Sequence, residues 1–234
     1  MVIVAWHSLF LAIGYLIGSI PFGVLVARSK GIDLRKEGSG NVGATNVGRL
    51  LGLRWFVLVF LLDFSKGFVP VLLASQFNSS LNGEIGSDVL QDFALTVGLG
   101  ACLGHVFSIF LRFKGGKAVA TGVGMLAALA PLAAACALAT FALVFALRRM
   151  VSLASILASG LAPVYYVLWR SITYVDGDLR FAVDLNDMEW LRFGVITALC
   201  LMIVIKHRSN IRRLLRGEEQ AFKRKAKADA QADA

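Results

Sequence analysis

Residues 1 to 27 contain no Lys, Arg, Asp or Glu, and the same is almost true of five further stretches. Segments free of those residue types cover 93 to 111, 118 to 147, 150 to 169 and 193 to 205; the run from 55 to 77 is interrupted only by Asp63 and Lys66. A helix needs roughly 20 apolar residues to cross a bilayer, and hydrocarbon offers the backbone no partners other than its own. The chain therefore reads as a bundle of membrane helices. Composition agrees: 57% of the 234 residues are hydrophobic and 17% are charged, against roughly 25% in soluble domains. The first run lacks the basic start of a secretory signal and is too long for its apolar core, so it is expected to remain as a span.

Charge sets the expected orientation. Six Lys/Arg lie between 28 and 54, three between 112 and 117 and nine from 206 onward, whereas 78 to 92 carries none against Glu84, Asp88 and Asp92. The positive-inside rule places the three basic groups in the cytoplasm and the N-terminus outside. Six single crossings would leave the basic tail outside. The conflict resolves if 118 to 147 is a hairpin of two short helices turning near Pro131, the first rising only about 20 Å and stopping short. The loop from 170 to 192, with five acids against three arginines, then becomes external. The expected fold is all-α: a polytopic membrane protein with seven transmembrane helices, an external N-terminus and a cytoplasmic C-terminus. Residues 1–210 form a single membrane-embedded domain, and 211–234 form a basic, solvated cytoplasmic tail. Trp6, Trp55, Trp169 and Trp190 fall near span ends, as an aromatic belt requires. Cys102, Cys136 and Cys200 stand singly in apolar runs, which argues for packing rather than disulfides, metal thiolates or redox chemistry.

Three polar stretches face the cytoplasm in this topology: "GSGNVGATNVGR" at 38 to 49, "GHVFSIFLRFKGGKAVAT" at 104 to 121 and "HRSNIRRLLRGEE" at 207 to 219. Each joins small polar or glycine residues to cations, groups kept beside hydrocarbon only where they line a polar cavity or pair with one another. In the first, Gly38 to Gly43 fit the dinucleotide pattern G-x-G-x-x-G, but no buried strand precedes it, so the match is rejected. What survives is an anion site built from Ser39, Gly40 and Asn41 ahead of a helix carrying Thr45, Asn46 and Arg49. In the second, Lys114, Gly115, Gly116 and Lys117 make a compact phosphate cradle, though not a Walker A loop, because Ala118 follows Lys117. In the third, His207, Arg208 and Asn210 sit at the headgroup boundary, and Glu218 is assigned a structural role by pairing with an arginine. Asp63 and Lys66, one turn apart within a span, read as a structural ion pair. Ser152 is placed near the site by topology alone. The cationic surface points to anionic lipids or small anions rather than nucleic acid.

In this order between apolar helices, the three stretches resemble the three motifs of the PlsY family of integral-membrane acyl-phosphate:glycerol-3-phosphate acyltransferases, and the hydrophobic pattern extends the resemblance over nearly the whole chain. The resemblance implies seven helices in the bacterial inner membrane. It also implies acyl transfer from acyl phosphate to the 1-hydroxyl of glycerol 3-phosphate, giving lysophosphatidic acid in the first step of phospholipid synthesis. It carries importance for activity to Ser39, Arg49, His207 and Asn210, acceptor binding to Gly115, Gly116 and the neighbouring lysines, and structural support to Glu218. A soluble enzyme that makes the acyl phosphate becomes an expected partner.

The residues fit such a reaction on their own terms. An acyl phosphate is already activated, so the catalyst has chiefly to position two phosphate-bearing substrates and stabilise developing charge. No Ser-His-Asp set is identifiable, and no histidine has Asp five positions on, so the H-x-x-x-x-D pattern of thioester-dependent acyltransferases is absent. Neither metal nor cofactor is expected. A small-anion transporter, its inner gate formed by the same cations, is the alternative.

Overall fold

A computed structural model describes residues 2–81, 93–175, 178–181 and 189–222. The acids expected to mark 78–92 as external, residues 176–177 and 182–188 of the 170–192 loop, and the end of the tail from 223 lie outside the described residues. Helices α1 (Val2–Ser19) and α2 (Phe22–Arg28) open the chain, followed by α3 (Ala44–Leu51), α4 (Leu53–Leu81) and α5 (Phe93–Val106). A short 3₁₀ turn at Ile109–Leu111 leads to α6 (Val119–Leu129), α7 (Pro131–Arg148) and α8 (Val151–Arg170). Two short strands, β1 (Ile172–Val175) and β2 (Asp178–Phe181), precede α9 (Trp190–Lys206) and α10 (Arg208–Leu215). The strands pair antiparallel, Ile172 opposite Phe181. This hairpin is confined to the connection between α8 and α9, and the membrane-embedded elements are helices, as expected.

Among the described residues, five segments are long and apolar enough to cross a membrane: Ile3–Arg28, Leu53–Phe77, Phe93–Leu111, Pro131–Arg148 and Val151–Arg170. The pair α9 and α10, bent by 56°, makes a sixth. The break expected near Pro131 is present: α6 ends at Leu129, Ala130 turns out of helix geometry and Pro131 opens α7, where its missing N–H costs nothing. With 11 residues, α6 rises only about 16 Å and does not span a bilayer core by itself.

Close glycine contacts set the packing. Gly14 and Gly18 of α1 lie against the backbone of Val97 and Ala101, while Gly100 and Gly104 of α5 lie against Leu11 and Tyr15. Two small-x-x-x-small faces thus interlock, the arrangement by which membrane helices gain dispersion contacts that lipid cannot supply. Gly67 of α4 and Gly124 of α6 repeat it, each abutting the other helix's backbone. The first apolar run is not continuous helix: it breaks at Ile20 and Pro21, because proline has no N–H and its ring excludes the preceding carbonyls from the helical ladder. The freed carbonyls of Gly18 and Ile20 accept hydrogen bonds from Lys66 Nζ at 3.1 and 2.9 Å.

Candidate active site

All three polar stretches converge on one cavity of about 160 Å³. Ser39, Asn41, Thr45, Asn46, Arg49, Lys117, Ser152, His207 and Asn210 line it, as do Arg213 and Glu219. A second, apolar cavity lies among α6, α7, α8 and α9 and shares Phe60, Val119 and Phe141 with the first. On α8, Ser152 and Ser155 face the polar cavity and Ser159 the apolar one, the one-turn spacing expected of a single helical stripe.

The first stretch is built around Asn46. Its Oδ1 accepts the Ser39 N–H at 2.9 Å, and its Nδ2 donates to the carbonyls of Leu34 and Glu37 at 3.1 and 3.0 Å. Asn46 was expected to contact substrate; its amide is instead committed to holding the loop that presents Ser39. Asn41 Oδ1 accepts the Gly43 N–H at 3.2 Å, forming a local turn ahead of α3. Gly40, with φ +67, shapes the loop and does not line the cavity. Arg49 reaches across to the Gln220 carbonyl at 3.4 Å.

The second stretch departs from the expected cradle. The Gly115 N–H donates to the Val106 carbonyl and the Gly116 N–H to the His105 carbonyl, both at 3.0 Å. Neither N–H is therefore free for a phosphate. The two positions admit only glycine because a Cβ at 115 would collide with the His105 carbonyl and one at 116 with the His105 ring. Their work is to seat the loop so that Lys117, followed by Ala118 in a left-handed turn at φ +60, points inward. Lys117 Nζ donates to Asn210 Oδ1. Lys114 is exposed and lies outside the cavity lining.

In the third stretch, α9 ends at His207, whose Nδ1 lies 2.8 Å from the Ile203 carbonyl. A carbonyl can only accept, so Nδ1 carries a proton, and in the neutral ring Nε2 keeps its lone pair. Glu219 occupies the place anticipated for Glu218. Its Oε1 accepts from Ser152 Oγ and Asn210 Nδ2, both at 2.7 Å, and its Oε2 from Arg213 Nε at 2.6 Å. Glu218 and Arg208 are exposed. Beyond Glu219 the chain folds back: the Phe222 N–H donates to the Arg149 carbonyl at 2.7 Å and its ring sits against Phe56 and Phe145. Sequence reasoning missed this strap and Arg213, although the i, i+3 spacing of Asn210 and Arg213 was a usable signal.

Burial draws the Lys117 ammonium down to about 8; Arg213 and Arg49 add to the shift and Glu219 opposes it. A lysine that must be protonated to hold an anion loses it as pH rises through that value. We expect kcat/KM for a phosphate-bearing substrate to fall above pH 8, approaching tenfold per pH unit, and Lys117→Arg to move the decline upward. A pH–rate profile of both proteins checks this, since kcat/KM reports the free enzyme.

A cation-lined pocket side by side with an apolar cavity within a membrane bundle fits an integral-membrane enzyme that handles anionic amphiphiles. The chain belongs to the glycerol-3-phosphate acyltransferase family, whose profile matches residues 8–217. It is 40% identical to the glycerol-3-phosphate acyltransferase of Geotalea daltonii (strain DSM 22248 / JCM 15807 / FRC-32), over 90% of this chain and 94% of that protein. Against that of Desulforudis audaxviator (strain MP104C) it is 42% identical, over 92% and 94%. Its fold is similar to the crystal structure of PlsY (YgiH), an integral membrane glycerol 3-phosphate acyltransferase, in the glycerol 3-phosphate form. That similarity has a TM-score of 0.73 at 38% identity, covering 93% of this chain and 96% of the other. The lysophosphatidic acid form matches with TM-score 0.71 at 37% identity, over 93% of this chain and 95% of the other.

Proposed function

We propose that the protein transfers an acyl group from an acyl phosphate to the 1-hydroxyl of sn-glycerol 3-phosphate, giving lysophosphatidic acid and inorganic phosphate. The observation that carries this reading is the adjacency of the two cavities, which share Phe60, Val119 and Phe141 as a common wall. A charged head and a fatty chain can be held there together, with the reacting carbonyl between them. The PlsY structures in glycerol 3-phosphate and lysophosphatidic acid forms support the same acceptor and product.

Arg49, Lys117 and Arg213 bind the phosphates, aided by Asn41, Thr45 and Ser152. The 1-hydroxyl oxygen attacks the acyl carbon, the bond from that carbon to the phosphate oxygen breaks, and phosphate leaves with the bonding pair. Ser39 and adjacent N–H groups stabilise the oxyanion. The hydroxyl proton passes to His207, whose Nε2 is left free by the bond from Nδ1 to Ile203; a substrate phosphate oxygen is the other acceptor. Because the donor is already activated, the reaction needs no covalent enzyme intermediate, metal or cofactor. The charge pattern supports seven passes with the N-terminus outside and the tail beyond 210 on the cytoplasmic side; family membership favours the bacterial inner membrane, with a soluble enzyme delivering the acyl phosphate from the cytoplasm.

Purified protein in detergent, given labelled glycerol 3-phosphate, is expected to form lysophosphatidic acid from palmitoyl phosphate and not from palmitoyl-CoA. Arg49→Ala and Asn210→Ala are each expected to lose at least 100-fold in rate. Activity with the thioester alone would overturn the donor assignment, and folded protein inactive with both would return the small-anion transporter to first place.

A further inference from the structure

Beneath the cations, the polar cavity ends on a carboxylate. Phe56, Phe60 and Asp63 of α4 all line it, and the seven residues from Phe56 to Asp63 rise about 10 Å. Phe56 is at the rim, against Phe222 of the strap, so Asp63 lies at the floor. Its relative exposure is 3%. A charged group buried this deep in a span is expensive unless it is paired and hydrogen-bonded.

Asp63 is paired but lacks a hydrogen bond at the paired oxygen. Lys66 Nζ lies 2.8 Å from Oδ1 and His105 Nδ1 lies 3.8 Å from it, yet among the described residues Oδ1 receives no hydrogen bond. The inventory of donors explains why. An ammonium has three N–H groups, and those of Lys66 go to the Gly18 carbonyl, the Ile20 carbonyl and His105 Nδ1 at 3.1, 2.9 and 3.1 Å. The neighbouring Thr121 hydroxyl donates to the Asp63 backbone carbonyl at 2.9 Å. Lys66 thus balances the charge on Oδ1 at 2.8 Å while three other acceptors compete for its N–H groups, which leaves a carboxylate short of donors in the wall of the cavity. The pair does more than neutralise itself.

We propose that Asp63 is the hydroxyl-recognition element of the acceptor subsite, accepting a hydrogen bond from the 2-hydroxyl of glycerol 3-phosphate. The assignment rests on the acyltransferase reading above. The acceptor's phosphate belongs with the cations and its 1-hydroxyl with the acyl carbon, which leaves the 2-hydroxyl as the donor for the floor. A site with a carboxylate lacking a donor rejects an analogue that cannot supply one, because the group then stays buried and unsatisfied.

The test compares glycerol 3-phosphate with 3-hydroxypropyl phosphate, which lacks only the 2-hydroxyl, using palmitoyl phosphate as donor. The full-length wild type is expected to prefer glycerol 3-phosphate by at least about tenfold in kcat/KM. In Asp63→Leu that preference should fall to within about threefold, through loss with glycerol 3-phosphate alone, and Asp63→Asn, still an acceptor, should lie between. A wild type that uses both acceptors equally overturns the subsite without recourse to any variant, as does an unchanged preference in folded Asp63→Leu. A wild type that acylates neither overturns the acyltransferase reading itself.

Discussion

Gly115→Ala is expected to lower kcat/KM for glycerol 3-phosphate by about 100-fold in a protein that still folds, the cost of misplacing a catalytic group by about 1 Å. A Cβ at 115 meets the backbone carbonyl of His105, which no side-chain rotation can relieve. Relief requires the loop to lift, breaking the bonds that seat it on the end of α5 and withdrawing Lys117 from Asn210. Alanine keeps the N–H that a phosphate cradle would use. A cradle therefore predicts tolerance, whereas the seated loop predicts a large loss, and steady-state kinetics with varied acceptor separates them. Gly116→Ala should act in the same direction, because its Cβ falls on a His105 ring already held by Lys66. Lys114→Ala, at an exposed position, should stay within about twofold.

The helices were legible because charge-free runs of that length have few alternatives in an aqueous chain. The break at Pro131 was legible because charge balance demanded one. The break at Pro21 was not, although the residue stands in plain view, because one uncharged run satisfies the length rule whether or not it bends. Lys66, arriving from α4, and Ser108, following α5, take the carbonyls at that bend and stabilise it. The cavity lining was legible for a related reason: Ser39, Arg49, Lys117, His207 and Asn210 are polar groups beside apolar helices, kept there where they line a cavity or pair with one another, and all five line one cavity.

What the sequence left ambiguous was the division of labour. Asn41 and Asn46 look equivalent in "GNVGATN", yet Asn46 is consumed by backbone groups of Leu34, Glu37 and Ser39. Whether the Gly115 and Gly116 N–H groups are free or spent is decided by carbonyls nine and eleven residues away. Asp63 and Lys66 declare themselves one turn apart, but their third partner, His105, comes from another helix and diverts the Lys66 donors.

The pair Glu218 and Glu219 gives the sharpest case, and replacing Glu219 should cost the most stability. The left-handed Gly217, φ +71, turns the chain after α10 so that adjacent, identical side chains point oppositely. Glu219 enters the protein, its side chain 2% exposed against Arg213, while Glu218 faces outward. Burial by itself would raise the Glu219 carboxyl; hydrogen bonds from Ser152, Arg213 and Asn210 more than offset it, and the group titrates below the usual range. Such a group contributes stability above its unfolded pKa, and that contribution is lost as pH falls through the depressed native value. Glu219→Gln retains one oxygen for Ser152 and Asn210 but turns an amide N–H₂ toward Arg213, setting donor against donor. We expect a loss of about 3 kcal/mol, or roughly 6–12 °C in Tm for a chain of this size. A higher KM for glycerol 3-phosphate should accompany it, since repulsion from Arg213 shifts the side chain on which the Asn210 amide rests, and Asn210 aligns Lys117. Glu218→Gln should stay within about 0.5 kcal/mol. Thermal unfolding in detergent, read beside acceptor KM, decides the matter: a larger loss at 218 than at 219 would show that the strap is held by the other glutamate.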